Sequence, residues 1–342
     1  MTGTLVSALR ALPAAAAAVD AALPTWAVVV GAAAGWAAAL SPSAVLSTRL
    51  SASYRELSPP VRVEWLSRVV SNLHAVILTP ALAVTVFGDA ALAAGAPFSS
   101  GPAVHALLKV GLGYFLYDAL LVSAYRRTIS APGQTLFHHA LVLSSVSWVL
   151  YSKLPLATVW AALLFLTEAS TPFVNQRWFM AFRHRQSGAY KVTGLAMTLA
   201  FFVARPLYIP FACGWMLKHR VLYSGLTEYQ LRVLLAIGVT VTVGLYGLNI
   251  YWFSLMARGL VKAFRGSGGR ALAAAGKRSQ VTTGGNATSA AAGSLAGAVA
   301  NMRRHGPSPT SVTVNPDSAW IQKDGALRPA ANGLLKRRQP VS

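Results

Sequence analysis

A small set of polar residues interrupts long apolar runs, and these residues carry whatever chemistry the chain can do. Asp118 follows Tyr114 and Tyr117, and Tyr114 and Asp118, four apart, share a helical face. His138 and His139 are adjacent; Glu168 is followed by Ser170, Thr171, Pro172 and Asn175; Arg205 precedes Pro206; His74 and Asn249 complete the set. An ionisable group at the centre of a bilayer costs about 2.5 to 3.5 kcal/mol on insertion scales, so each marks a candidate site. Facing one interior, they would form a polar chamber under an apolar vault. Histidine beside Asp or Glu suits general acid/base or acyl-transfer chemistry on a lipid. His138 and His139 are the catalytic candidates. Tyr114, Asp118, Glu168, Asn175 and Arg205 are the candidate contacts to a lipid headgroup.

The same residues admit structural readings. Asp118 or Glu168 paired with Arg205 would be internal glue, and Arg68, Arg177 and Lys191 read as headgroup-level anchors. Neighbouring histidines point about 100° apart on a helix, so at most one of the pair is expected to face the chamber squarely. Several chemistries fall away. Seven histidines with one adjacent pair are too few for a membrane di-iron centre, and the last apolar run has no lysine for a retinal Schiff base. No P-loop, G-x-S-x-G or H-E-x-x-H occurs, and the single Cys213 permits neither an intrachain disulfide nor a Cys-based zinc site. No metal or cofactor is called for; acyl-CoA enters only as a possible substrate.

These residues must be positioned by membrane helices. Of 342 residues, 54% are hydrophobic and 11% charged, with a mean hydropathy of +0.50, which excludes a soluble globular enzyme. A bilayer core about 30 Å thick takes roughly 20 apolar residues. Windows of that kind run from Pro24 to Leu46, Leu66 to Phe87, Val104 to Tyr125, Leu136 to Tyr151, Pro155 to Val174, Tyr190 to Leu217 and Leu231 to Ala257. They lack period-2 alternation, so the expected fold is an all-α polytopic bundle of about seven transmembrane helices. The first span carries Gly31-Ala32-Ala33-Ala34-Gly35, a small-xxx-small pattern that permits close helix approach, although an Ala-biased composition would give the same string.

Charge then gives orientation. The net charge of +21 sits mainly on alternate connections, at Arg49, Arg55, Arg62, Arg68, Arg126, Arg127, Arg177, Arg183, Arg185 and Lys191, and on the segment after the last span. The positive-inside rule puts that side in the cytosol and the N-terminus in the lumen or outside. The charge therefore reports topology, with no nucleic-acid partner implied. Residues 1–23 read as an Ala-rich leader, 24–46 as the first span, and 263–342 as a disordered basic tail. The chain's one sequon, Asn286-Ala287-Thr288, lies in that tail.

The segment Val63-Glu64-Trp65-Leu66-Ser67-Arg68-Val69-Val70-Ser71-Asn72-Leu73-His74 resembles the opening of a TLC domain, the region shared by TRAM, the Lag-type ceramide synthases and the CLN protein of ceroid lipofuscinosis. Gly113-Tyr114-Phe115-Leu116-Tyr117-Asp118, His138-His139, the string from Glu168 to Phe179, and Asn249 follow in order. The fifth-span string is most similar to the TLC domain-containing protein 4 branch. The resemblance covers roughly residues 46 to 262 and implies a six-helix TLC barrel over 47–262, behind one N-terminal helix. It further implies an endoplasmic-reticulum multipass protein concerned with lipid, and matches His138 and His139 to the proposed acyl-transfer pair of the synthases. There the sequence also departs: Thr167 replaces the synthase histidine, Glu168 and Thr171 its aspartates, and Asn175 its terminal glutamate.

Three readings of function follow. The first is a protein that binds or handles acyl lipids in membrane lipid homeostasis. The second is an acyl-CoA-dependent acyltransferase resembling the ceramide synthases and using the His138-His139 pair. The third is a cargo receptor or scaffold whose tail recruits protein. The oligomeric state is left open by the sequence.

Overall fold

The computed structural model describes residues 21–185 and 187–282, with positions 11, 15, 17 and 18 before them; from 263 to 282 only the helical course of the backbone is described. Positions 283–342 of the expected tail, with the sequon, lie outside the described residues, as does most of the expected leader. Among the described residues there is no strand. The long helices are α1 (Thr25–Leu50), α2 (Pro59–Phe87), α3 (Gly101–Ala124), α4 (Pro132–Ser152), α5 (Pro155–Met180), α6 (Gly188–Lys218) and α7 (Glu228–Thr282). Helix α7 runs past residue 262, where the tail was expected to begin.

Six of these are long and apolar enough to cross a membrane, α7 over Glu228–Lys262; α4 is the exception. At about 1.5 Å per residue α4 is still roughly 31 Å long, so its length suffices. Its hydropathy is lowered by Gln134, Thr135, His138, His139 and three serines, 144, 145 and 147. It also begins a turn before the apolar window that starts at Leu136, because Pro132 opens it at a position whose missing N–H costs nothing. Proline opens α2, α3 and α5 in the same way. Helix α7 starts with reciprocal bonds: Thr227 N–H donates to Gln230 Oε1 at 3.0 Å and Gln230 N–H to Thr227 Oγ1 at 3.2 Å.

Helix α3 is the axis of the bundle, the most buried of the spans, and it touches α1, α2, α4 and α5. The small residues of α1 let it approach closely. A β-carbon on Gly113 would lie 2.6 Å from Ala32 Cβ and 2.7 Å from Val29 O, so the close approach is made by the α3 glycine against Val29 and Ala32, while a β-carbon on Gly31 or Gly35 of the expected pattern would meet nothing within 4 Å. The main core cluster includes Leu78, Leu82, Leu107, Leu108, Val159 and Leu163 from α2, α3 and α5.

Two helices are interrupted at one level. Helix α5 tightens into a 3-10 turn over Leu166–Ser170 before Pro172, and α6 widens into a π-turn over Val203–Leu207 containing Pro206. Both prolines remove a backbone donor, and the local geometry adjusts where the ladder loses a bond. The two irregular turns pack against each other, which brings Glu168 opposite Arg205.

Candidate functional site

Two cavities meet inside the bundle. A polar chamber of about 190 Å³ is bordered by residues from α2, α3, α4, α5, α6 and α7. An apolar slot of about 70 Å³ extends from it between α4, α5 and α7. Phe115, His138 and Glu168 border both, so the two spaces adjoin at those side chains.

The chamber lies toward the basic end of the bundle. Its lining comes from the start of α2 (Glu64, Ser67, Arg68), the end of α3 (Asp118, Val122), the start of α4 (Gln134, Thr135, His138), the end of α5 (Val174, Asn175) and the later part of α7 (Trp252, Met256). Those termini adjoin the connections that carry Arg55, Arg126, Arg127 and Arg183, and Arg62 lies in the first turn of α2 itself. The slot leads away from that end along α4 toward Val149 and along α7 toward Leu234.

The seven catalytic and headgroup-contact candidates, Tyr114, Asp118, His138, His139, Glu168, Asn175 and Arg205, border the chamber, whereas Asn249 borders the apolar slot and His74 borders neither space. Their surroundings differ. Asp118 Oδ1 accepts from Ser67 Oγ at 2.8 Å, while His139 Nε2 stands 3.5 Å from Oδ2. Glu168 is held more firmly, by Arg205 Nη2 at 3.1 Å and Thr171 Oγ1 at 2.5 Å, and His138 Nε2 lies 3.9 Å from its Oε1. Arg205 also donates through Nε to Ser170 and through Nη1 to Asn249, both at 3.0 Å. The internal-glue reading therefore describes Glu168, which is paired with Arg205, while Asp118 has no arginine within bonding distance.

Both histidines border the chamber. Their ring centroids are 5.6 Å apart, with His139 turned toward Asp118 on α3 and His138 toward Glu168 on α5. The chamber wraps around α4, so a 100° difference in direction still leaves both rings on its wall. His139 Nδ1 is buried without a hydrogen-bond partner. Tyr114 stacks on the fully buried His74, ring centroids 3.8 Å apart, and Trp36 of α1 closes edge-on against both rings.

A second network was not anticipated. Arg68 Nε and Nη2 donate to Glu64 Oε1 at 3.2 and 2.7 Å, and Nη1 donates to Asn175 Oδ1 at 3.0 Å. Asn175 Nδ2 in turn donates to Arg68 O and to Asn72 Oδ1, and Ser130 donates to Glu64 Oε2 through both its N–H and its hydroxyl. Arg68 is thus an internal tie between α2, α5 and the segment before α4, and the headgroup-anchor reading does not hold for it. Arg177 is likewise engaged, donating to Tyr190 O at 2.7 Å and lying over the Tyr190 ring. The Glu64 and Arg68 spacing of four on one helix was the signal available in the sequence.

With both guanidiniums so bound, each of their three nitrogens already donates to a protein group. Asp118 Oδ2 has only the 3.5 Å approach of His139, and His139 Nδ1 has no partner. Chemically the arrangement offers two histidines, each with its own carboxylate, at the head of an apolar slot.

A TLC-domain profile matches residues 64–258. The chain is 34% identical over 235 residues to TLC domain-containing protein 4-A of Xenopus laevis, covering 66% of this chain and 86% of that protein. It is 30% identical over 223 residues to TLC domain-containing protein 4 of Homo sapiens, covering 63% and 81%. TLC domain-containing protein 4 A of Dictyostelium discoideum is 25% identical over 225 residues, covering 64% and 82%. No solved structure matches the chain. With the profile spanning more than half of the chain, and a polytopic helical bundle around it, the protein belongs to the TLC-domain family of multipass membrane proteins.

Proposed function

We propose that the chain holds an acyl lipid, with its headgroup in the polar chamber and its chain in the apolar slot, and that it serves membrane lipid homeostasis in the endoplasmic reticulum. The observation that supports this reading most directly is the sharing of Phe115, His138 and Glu168 between the two spaces, which makes one amphipathic cavity. Such a cavity is matched in polarity to a lipid and to little else inside a bilayer. Along α4 from His138 to Val149 the slot extends about 16 Å at 1.5 Å per residue, close to one leaflet of a hydrocarbon core about 30 Å thick.

The headgroup that fits is one that donates hydrogen bonds. Every nitrogen of Arg68 and Arg205 is already engaged with a protein group, while Asp118 can accept and His139 has a ring nitrogen unused. Native mass spectrometry with lipidomics on the purified protein tests the proposal. A bound acyl lipid is expected; a chain that copurifies with none would count decisively against it.

A second reading, acyl transfer, is supported by the pairing of each histidine with a carboxylate. His139 oriented by Asp118 would take a proton from an acceptor, or His138 would attack a thioester carbonyl, forming a C–N bond as the C–S bond breaks and the thiol leaves. Acyl-CoA is the substrate this requires. Incubation with acyl-CoA followed by peptide mass mapping is expected to show an acyl adduct on His138 or His139. No adduct and no release of CoA across a panel of acceptors would remove it.

The basic end of the bundle faces the cytosol in this proposal, with the N-terminus lumenal, on the strength of the arginine-rich connections that all adjoin the chamber. Epitope accessibility after selective plasma-membrane permeabilisation checks it; a C-terminal epitope shielded in the lumen would reverse the orientation.

A further inference from the structure

The cations at the basic end of the bundle divide by what they bond. Arg55 donates to Thr48 O, Arg62 to Arg55 O, Arg68 to Glu64 and Asn175, Arg177 to Tyr190 O, and Arg183 to Glu56. Arg126 and Arg127, in the turn between α3 and α4, are exposed, and no protein group among the described residues takes a hydrogen bond or an ion pair from either. Lys262 of α7 is in the same state, and Arg258, one turn before it, donates only to Ser254 of its own helix. The turn and α7 flank the start of α4. Trp252 Nε1 donates to Gln134 Oε1 at 2.7 Å, and Ile129 and Ala131 of the turn border the same chamber as Met256 of α7. Neither 125–131 nor 249–262 contains a carboxylate.

The depth of these cations follows from the exposed faces that carry them. On α7 the outward stripe runs Val239, Val243, Tyr251, Arg258 and Lys262 at helical spacing, so hydrocarbon-facing valines give way to a tyrosine and then, two and three turns on, to the cations. On α3 the exposed Leu120 is followed by the exposed Tyr125 and then by the arginine pair. Tyrosine favours the membrane interface, so both pairs of cations stand at the level of the lipid phosphates. We propose that this edge binds an anionic phospholipid of the surrounding bilayer, its acidic headgroup held between the α3–α4 turn and α7. Topology alone requires cations at this end; it does not require that four of them gather on two segments without a carboxylate. The site is separate from the chamber, whose guanidiniums are engaged, and it stands or falls independently of the lipid-holding reading.

The test uses the purified full chain in detergent with equal amounts of phosphatidylserine and phosphatidylcholine, read by native mass spectrometry as the ratio of the two lipids bound. Wild type is expected to favour phosphatidylserine at least about tenfold. Arg126→Gln with Arg127→Gln is expected to lower that ratio at least about fivefold, and Arg126→Lys with Arg127→Lys to keep it within about twofold. Arg49 and Arg185 are also exposed and unengaged, on the connections that Arg183 and Glu56 tie together, where Glu56 supplies a carboxylate. Arg49→Gln with Arg185→Gln removes the same charge there and is expected to keep the wild-type ratio. An equal loss from both glutamine pairs would show that net charge alone attracts the lipid and would overturn the site. A wild type without preference, or an Arg126 and Arg127 variant that retains it, would overturn it as well. Glycerophosphoserine, which has the headgroup and no acyl chains, is expected not to displace the lipid; displacement at equal concentration would assign the cations to a soluble anion instead. None of these outcomes bears on the chamber.

Discussion

Two buried aspartates in this chain have opposite surroundings. Asp89, in the connection between α2 and α3, accepts four hydrogen bonds: from Leu92 N–H at 2.8 Å, Ser99 N–H and hydroxyl at 3.0 and 2.9 Å, and Ser100 N–H at 2.7 Å. Asp118, in the bundle interior, has Ser67 at 2.8 Å and an imidazole nitrogen at 3.5 Å. Both are nearly inaccessible to water, at 3% and 6% exposure. Burying a charge is costly unless its bonds are made, so the first is a finished structural joint and the second is short of partners beside a cavity. Saturation, more than burial, separates residues that hold the fold from residues available to a ligand. Glu64, Arg68 and Arg205 fall on the structural side by this measure, and Asp118 and His139 on the other.

Four changes would break or sharpen this division. The largest effect is expected from Arg205→Leu, which leaves Glu168 buried without its cation and frees Ser170 and Asn249. It should lower stability by about 3 to 5 kcal/mol, measured as thermal unfolding in detergent. Asp89→Ala strips four donors of their acceptor and is expected to cost about 2 to 3 kcal/mol in the same assay while leaving any bound lipid in place. Trp252→Phe removes the indole donor to Gln134 Oε1, a 2.7 Å bond between α7 and α4, and is expected to cost about 1 kcal/mol. A loss of about 2 to 3 kcal/mol from Asp118→Asn, or none from Asp89→Ala, would erase the contrast.

The fourth, and smallest at neutral pH, is a pH dependence. Burial alone would raise the Asp89 carboxyl, but the hydrogen bonds from Leu92, Ser100 and Ser99 outweigh it and hold the group below its ordinary value of 3.8. Its folded form therefore binds a proton less readily than its unfolded form. The stabilisation is complete above that ordinary value and is lost as pH falls through the lower folded one. Wild type and Asp89→Asn should accordingly differ in unfolding temperature at neutral pH and converge in strong acid. A gap that persists would assign the effect to something other than the carboxylate.

Much of this was legible in the sequence, and the parts that were not have physical causes. Seven apolar runs gave the helices, and polar residues stranded within them gave the lining of one cavity, because a bilayer penalises such residues wherever they lack a purpose. The start of α4 was hidden because Gln134 and Thr135 are polar for the sake of the chamber, so hydropathy alone begins the helix too late. Arg68 was read as an anchor because it sits in the first turns of a span beside other arginines, and topology by itself would put a cation there. Pairing with Asn175, more than a hundred residues away, is a tertiary fact that no local pattern carries. The convergence of Glu168 and Arg205 needed two helix interruptions at one level; Pro172 and Pro206 marked the positions, but not that the two turns would pack together.

The central claim is that the unsaturated end of the cavity holds a lipid. Native mass spectrometry of wild type beside Asp118→Asn tests it most directly, since the substitution keeps the shape and the Ser67 contact while removing the charge. The prediction is one bound acyl lipid on wild type, reduced at least about tenfold in the variant, with the unfolding temperature of the variant within the range of about 1 kcal/mol of wild type. A wild-type protein carrying no lipid, or a variant that carries as much and is strongly destabilised instead, would contradict it.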